Sequence, residues 1–249
     1  MALIHSFEKS GNWLFRFRGQ IPLALFVLAV PVLYFTPVQW TTEKPQIALY
    51  VTIIAIFISF LGFFIRAWTI GTTPRGTSGR NTQEQVAETL NSTGIYSMLR
   101  HPLYLGNYLM WMGIVIFCFN IYFFIIVSLL FWLYYERIMF AEERFLERKF
   151  GQEYLDWSLK APAFIPNIKK YKPTSVPFSF ISVLRREYSG VLAVALSFMF
   201  VDLIRRAFAG YEFNWNRISV WAFGITLLMA LILRTIKHKT SLLKEEGRS

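Results

Sequence analysis

Cysteine and histidine are almost absent from this sequence. Its 249 residues include one cysteine, Cys118, and three histidines, which lie far apart as His5, His101 and His238. A single cysteine cannot form an intrachain disulfide, and neither residue type is clustered as a protein zinc site requires. We therefore expect no metal site.

Charged residues are also scarce. They make up 16% of the chain, whereas 55% of it is hydrophobic and 18% aromatic, proportions that exclude an ordinary soluble domain. Apolar runs long enough to cross about 30 Å of hydrocarbon recur along the chain. We identify six, at 21–38, 47–68, 103–119, 122–140, 190–204 and 220–233. The predicted fold is all-α, a polytopic membrane helical bundle of about six transmembrane helices, with five as the alternative because charges crowd the end of the run at 190–204.

The basic residues predict how this bundle is oriented. With the N-terminus in the cytosol, 22 of the 26 lysines and arginines fall on the cytosolic side. Both termini and the two long polar segments, 70–100 and 137–187, are then predicted to be cytosolic. Since this asymmetry accounts for the net charge of +11, we expect the lipid bilayer, and no nucleic acid, as a partner.

The first segment that carries chemistry lies before the third apolar run. Pro102 suits the first position of a helix, which makes His101 the predicted N-cap and places Tyr104 and Tyr108 on the same helix face as His101. The free N–H groups of a helix start favour an anion, and Arg100 adds a fork of donors for a carboxylate or phosphate. The alternative is that Arg100 and His101 only anchor the helix at the lipid headgroups.

The second segment begins with Glu142 and Glu143, where the fourth apolar run is predicted to continue as a helix into the cytosol. Glu143 shares a helix face with apolar residues three and four positions away, so we expect this face to turn towards the protein. Taken alone, the segment is typical of a solvated helix laced with acid–base pairs. Its significance comes from its combination with the first segment.

Together the two segments resemble a known family, the integral membrane methyltransferases that include isoprenylcysteine carboxyl methyltransferases and, more distantly, phospholipid N-methyltransferases. The shared pattern is Thr93-Gly94-x-Tyr96, Arg100-His101-Pro102-x-Tyr104-x-Gly106, Glu142-Glu143, Phe150-Gly151-x-Glu153-Tyr154 and Ile165-Pro166. The resemblance covers residues 90–167, about a third of the chain.

This resemblance implies a function and a site. A cytosolic-facing site is expected to enclose S-adenosylmethionine, with Arg100, Glu142 and Glu143 as the catalytic residues beside the acceptor. The residues implied to bind the cofactor are Tyr96, His101, Pro102, Tyr104, Gly106 and Tyr108. The implied reaction is methyl transfer to an amphiphilic lipid or lipid-like acceptor whose headgroup is a carboxylate, a phosphate or an amine.

The ends of the chain differ from the eukaryotic members of the family. Two spans precede the core and a helix pair follows it, so we divide the chain into 1–89 (two helices and a cytosolic loop), 90–172 (methyltransferase core) and 173–249 (helix pair and basic tail). Bacterial relatives look closer in length, which suggests the bacterial inner membrane. The glycine-rich loop 71–80 is interpreted as a flexible loop, with Arg75 and Arg80 as possible contacts to cofactor or lipid phosphate.

Two other functions stay open. A membrane reductase of the sterol or steroid type has a similar helical core and uses a nicotinamide cofactor, but an asparagine tends to precede its motif tyrosine, where this chain has Leu103. A transporter or scaffold would place ionisable groups near the middle of its spans, whereas here they concentrate at the cytosolic ends. The pattern indicates no oligomeric state.

Overall fold

The structure, a computed structural model, describes residues 2–20, 22–37, 43–74, 85 and 87–245. These residues form eight α-helices and no β-strand, which confirms the all-α prediction. The helices are α1 (Leu3–Arg16), α2 (Pro22–Phe35), α3 (Pro45–Gly71), α4 (Pro102–Ile116), α5 (Ile121–Phe150), α6 (Gln152–Ser158), α7 (Phe180–Phe208) and α8 (Ile218–Lys239).

Three helices are long and apolar enough to cross a membrane, α3, α5 and α8. The apolar helices α2 and α4 have 14 and 15 residues, hence lengths of about 21 and 22 Å at 1.5 Å per residue. Helix α7 is longer, but its charge-free part is limited to 188–201. Length and composition therefore support a membrane protein, while the count of six spans stays a prediction. Residues 21 and 38, the predicted ends of the first span, lie outside the described residues.

Local sequence explains where the central helices begin and end. Pro102 occupies the first position of α4 with His101 as N-cap, as predicted. The side chain of Asn120 accepts a hydrogen bond from the Phe123 amide (2.9 Å) and so caps α5 directly after the turn that follows α4. Helix α5 continues past its apolar part to Phe150, and Gly151 then separates it from α6 with a positive φ of 54°, a conformation that suits glycine.

Helices α3 and α4 pack with their backbones almost in contact. A Cβ atom added at Gly62 would lie 2.5 Å from the Gly106 carbonyl oxygen and 2.6 Å from the Met110 amide nitrogen. One turn further on, Gly113 lies against Ser59, whose hydroxyl donates to the Met110 carbonyl (2.8 Å). Small residues at this spacing allow two membrane helices to approach closely. The pair forms one wall of the cavity described below.

The remaining helices surround this pair. Helix α1 runs antiparallel to the charged end of α5, since Leu14 accepts a hydrogen bond from the Tyr134 hydroxyl (3.1 Å) and Glu8 pairs with Arg148 (2.6 Å). Helix α7 packs against α2, α3, α4 and α8. A buried apolar cluster from α2, α3, α4, α5 and α7 holds the far end of the bundle together, opposite Arg100. The division of the chain at residues 90 and 173 stays a prediction.

Candidate functional site

The N-terminus of α4 is joined to the charged end of α5 by four side chains. Nε2 of His101 lies 2.8 Å from Oε1 of Glu143, and Nε of Arg100 donates to the same oxygen (2.9 Å). Nδ1 of His101 lies 3.5 Å from Oε2 of Glu142. The imidazole is 6% exposed, whereas the glutamates keep about a quarter to a third of their side-chain surface accessible. The two motifs that the sequence places about 40 residues apart therefore form one polar cluster.

Arg100 is held more tightly than the sequence predicts. Besides Glu143, its guanidinium donates through Nη1 to the carbonyl oxygens of Ser158 (2.7 Å) and Ala161 (2.9 Å). The fork that was expected to bind an acceptor anion thus holds protein groups in this structure. Its catalytic role beside an acceptor stays a prediction, and its observed role is to position the carboxylate of Glu143.

The segment 159–173, called the strap, lies along the motif that precedes α4. The amides of Arg100 and His101 donate to the carbonyls of Pro162 (2.8 Å) and Ala163 (3.2 Å). Further along, the Asn167 amide donates to Met98 (3.0 Å), and the Gly94 amide to Lys172 (2.8 Å). These backbone bonds satisfy polar groups of two irregular segments and fix the strap over the start of α4. They place Ile165-Pro166, between Ala163 and Asn167, in the segment that lies beside the Arg-His-Pro motif.

The electrostatics of the cluster favour its charged state. Burial disfavours a charged imidazole, but the carboxylates of Glu142 and Glu143 outweigh it and raise the pKa of His101 above its ordinary value. Glu143 lies beyond Phe140, where the apolar part of α5 ends. Burial alone would raise the pKa of its carboxyl, yet His101 and Arg100 hold that pKa below the ordinary value. Each of the two groups therefore stabilises the charged form of the other.

A cavity of about 660 Å³ opens beside this cluster and continues into the bundle. Its polar end, called the mouth, is lined by Tyr96, Arg100, His101, Tyr104, Glu142 and Trp157. The indole of Trp157 donates to the Tyr96 carbonyl (3.1 Å), and the Tyr104 ring stacks on His101 with 5.5 Å between centroids. A volume of this size is typical of small-molecule and cofactor sites.

Most of the predicted site residues line this cavity. They are Tyr96, Arg100, His101, Pro102, Tyr104 and Glu142. Three others have packing or positioning contacts. Gly106 faces α3, where an added Cβ would lie 2.5 Å from Cγ of Arg66, and the Tyr108 hydroxyl lies 3.1 Å from Oγ of Ser128. Glu143 holds His101 and Arg100. Arg75 and Arg80 lie outside the described residues.

Sequence reasoning did not identify the buried ion pair deeper in the cavity. Arg66 of α3 donates to both carboxylate oxygens of Glu187 on α7 (2.8 and 2.6 Å) and to Oδ1 of Asn107 (2.6 Å). Asn107 in turn donates to the Tyr135 hydroxyl (3.1 Å), and Glu187 is 2% exposed. Arg66 lies two residues before the end of the apolar run 47–68. Nothing in the sequence pattern indicates that Glu187 is buried, because a charged residue at the edge of a polar loop is normally exposed to solvent.

Comparison with known proteins bears directly on this geometry. Residues 50–153 match the phospholipid methyltransferase family. The family resemblance inferred from the motifs is thereby confirmed over the segment that holds α4, α5 and the polar cluster. Helices α7 and α8, with Glu187, follow the family segment.

Two curated proteins are also similar to this chain. The nickel-cobalt-cadmium resistance protein NccN of Alcaligenes xylosoxydans xylosoxydans is 30% identical over 133 residues, 52% of this chain and 60% of that protein. The cobalt-zinc-cadmium resistance protein CzcN of Cupriavidus metallidurans is 32% identical over 98 residues, 39% of this chain and 45% of that protein. The chain thus spans about half the length of these relatives. No solved structure matches. Within the described ranges, no three His, Cys, Asp or Glu side chains are grouped to hold a metal ion.

Proposed function

We propose that this protein transfers a methyl group from S-adenosylmethionine to an amphiphilic acceptor that lies in the membrane, and that it does so at the cytosolic face. One observation carries the proposal. A single cavity joins a mouth built from the family motifs to an apolar interior between α2, α4 and α7. A water-soluble donor and a bilayer-borne acceptor can therefore meet without either leaving its own phase.

The residues of the mouth suit the proposed donor. S-adenosylmethionine supplies an electrophilic methyl group on a positively charged sulfonium. The rings of Tyr96, Tyr104 and Trp157 line the mouth together with the carboxylate of Glu142. Aromatic faces and a carboxylate both attract a cation, and the rings also give a flat purine a surface to stack on. The donor set at the mouth thus fits the charge and the shape of this cofactor.

The chain's own contribution is mainly positional. The paired charges of Arg100, His101 and Glu143 fix the start of α4 against α5, so the rings of the mouth keep one geometry. Holding two reactants in line lowers the reaction barrier by about 7 kcal/mol or more. A site with little water lowers it further, because the reacting charges are then not solvated. An anionic acceptor oxygen that takes the methyl group needs no base. An amine must lose a proton, and Glu142 is the motif carboxylate that lines the cavity.

The test uses the full chain, purified in detergent and reconstituted with the total membrane lipid of its expression host. Methyl-labelled donor is added, and labelled lipids are separated and identified by mass spectrometry. We expect label in the lipid fraction, with a loss of at least about tenfold for His101→Ala, which removes a charged hydrogen bond. The matched control is Arg144→Ala, because Arg144 pairs with Glu147 and neither residue lines the cavity.

Three outcomes distinguish the alternatives. Label that appears only in water-soluble products contradicts a membrane-borne acceptor. Saturable binding of a nicotinamide dinucleotide with no binding of S-adenosylmethionine, measured by calorimetry, favours the reductase. Where lipid is labelled, release of the methyl group by mild base indicates an ester and therefore an oxygen acceptor, whereas a base-stable methyl group on nitrogen indicates an amine.

A further inference from the structure

The inner part of the cavity continues well beyond the reach of the mouth residues. It runs between α2, α4 and α7 and is walled there by apolar side chains: Ala29, Ile114, Val115, Val194, Phe200 and Val201. The polar contacts among Arg100, His101, Glu142 and Glu143 do not reach this level. We call this part of the cavity the slot. Its lining implies that whatever enters it is a hydrocarbon rather than a headgroup.

The upper end of the slot is marked by a change of polarity. Arg66, Asn107 and Glu187 line the cavity just above it and are bonded to one another, so polar groups border the slot on the side of the mouth. Below Glu187, the residues of α7 that line the cavity are uncharged as far as Val201. An amphiphile fits this profile when its headgroup stays level with Glu187 and its tail points away from the mouth.

The lower end of the slot is closed. Cys118, Phe123 and Val201 line it there and are only 1%, 5% and 2% exposed. Immediately below, Asp202 of α7 binds Arg217 (2.8 Å) and Ser219 (2.6 Å) at the start of α8.

A second contact reinforces this closure. Nη1 of Arg205 donates to the carbonyl of Phe117 (3.1 Å), which ties α7 to the turn between α4 and α5. The floor of the slot is therefore a set of buried side chains backed by an ion-pair network, rather than an opening to the other side of the membrane.

The length of the slot follows from helix geometry. From Glu187 to Val201 there are fourteen residue steps along α7, about 21 Å at 1.5 Å per residue. We propose that the slot holds the hydrocarbon tail of the acceptor and measures its length, so that tails gain affinity up to the floor and lose it beyond. This inference rests on the proposed function for its ligand. Of the floor residues, Cys118 and Phe123 lie within the family segment, whereas Val201 lies on α7, outside it.

Burial predicts a steep dependence on chain length below the limit. When affinity is referred to the free probe in water, each methylene that enters the slot contributes roughly a fourfold gain, so neighbouring members of a series are easily resolved. Beyond the floor, an extra methylene has to bend or displace Phe123, and the gain ends. A tail that merely dissolved in the bilayer around the bundle would show no such limit.

The experiment maps the tail by photocrosslinking to the full chain in detergent. The probes are straight-chain carboxylates and amines of increasing length with a photoreactive diazirine at the tail end. With increasing length, crosslinks should move along α7 from the level of Ser197 to the floor residues Cys118, Phe123 and Val201, and labelling should then fall at least tenfold. Labelling at lipid-facing side chains of α8 such as Ile225, independent of length, would overturn the proposal.

Variants sharpen the test. Ala193 lines the cavity on α7, so Ala193→Phe should shorten the longest tail that labels the floor by several carbons. Ser197→Leu adds less volume at the same wall and serves if the larger change prevents folding. Gly224→Phe is the control, because nothing lies within 4 Å of a Cβ at that position of α8. If the longest tail that labels the floor is unchanged in both slot variants, and gel filtration shows that both variants fold, the slot does not set the tail length.

Crosslinking needs no methyl transfer, and its result is therefore separable from the proposed function. Length-dependent crosslinks without labelled lipid in the transfer assay retain the slot and reject the reaction. Labelled lipid with length-independent crosslinks retains the reaction and rejects the slot.

Discussion

Nε2 of His101 lies 2.8 Å from Oε1 of Glu143, and this contact joins the first residue before α4 to a residue near the charged end of α5. The same glutamate holds Arg100, so one carboxylate orders both basic residues of the Arg-His-Pro motif. The mouth of the cavity depends on this arrangement because the Tyr104 ring stacks on the imidazole. The first predictions follow from it.

We expect His101→Ala and Tyr104→Ala each to weaken binding of S-adenosylmethionine and S-adenosylhomocysteine by about tenfold, the equivalent of one charged or aromatic contact. Both side chains line the mouth and stack on each other. Isothermal calorimetry on the detergent-solubilised chain measures the effect. Equal affinity in the wild type and both variants would remove the two residues from the donor site.

The stability of the protein should depend on pH through the His101–Glu143 pair. The raised pKa of His101 contributes stability that is fully present below the ordinary value of 6.5 and is lost as the pH rises through the folded-state pKa. The lowered pKa of Glu143 contributes stability that is present above 4.5 and is lost as the pH falls through its folded-state pKa. Thermal unfolding should therefore show a plateau between these values. His101→Gln should remove the alkaline limb and also weaken the acidic limb, because His101 contributes to the lowered pKa of Glu143. An unaltered alkaline limb would contradict the assignment.

Arg100→Lys should lower methyl transfer more than it lowers donor binding. Lysine keeps the charge but loses the fork that binds Glu143 and the carbonyls of Ser158 and Ala161. Hydrogen exchange of the strap should rise in the variant, because its bond to the Ala161 carbonyl is lost together with the bond to Ser158, the residue that precedes the strap. Arg144→Lys is the matched control. Slow exchange of the strap together with full turnover would show that the fork is dispensable.

Glu143→Gln should likewise lower methyl transfer more than it lowers donor binding. The amide keeps the size of the side chain but cannot balance Arg100 and His101, so turnover should fall while the mouth still binds donor. Radiolabelled methyl transfer to total lipid extract, compared with calorimetry on the same preparation, measures the two effects. Equal losses of turnover and binding would indicate that Glu143 only supports the mouth.

Removing one partner of the buried Arg66–Glu187 pair should lower the free energy of unfolding more than replacing both partners. Glu187→Met leaves a guanidinium whose charge is uncompensated, and we expect a loss of about 3 kcal/mol or more in the free energy of unfolding. The double variant Arg66→Met/Glu187→Met removes both charges and should recover a large part of that loss. A double-mutant cycle in detergent–SDS mixtures measures the coupling. Additive losses would show that the two charges do not stabilise one another.

The glycine contact between α3 and α4 allows a matched pair of substitutions. Gly62→Ala introduces a methyl group 2.5 Å from the Gly106 carbonyl and should destabilise the protein by about 1–3 kcal/mol through forced separation of the helices. Gly224→Ala adds the same methyl group where nothing lies within 4 Å, so helix propensity should make it neutral or slightly stabilising. Thermal unfolding of the two variants compares them. Equal melting temperatures would contradict the close packing.

Much of this molecule is determined locally and can be read from the sequence. Pro102 and His101 start α4, and Asn120 caps α5, because proline geometry and a side-chain cap act within a few residues. Apolar composition predicts the helices and their approximate positions. The polar motifs around Arg100 and Glu142 were identified as one site because a family resemblance linked them.

The tertiary structure decided what local patterns do not contain. That Glu143 rather than an acceptor occupies the fork of Arg100, and that Gly106 and Tyr108 serve packing, depends on which residues of other helices lie opposite them. The same holds for Glu187, which reaches Arg66 across 121 residues only because α7 folds back against α3. Sequence periodicity determines the faces of each helix, whereas the choice of partner for each face depends on how the helices pack, and that choice placed the cavity, its mouth and its floor.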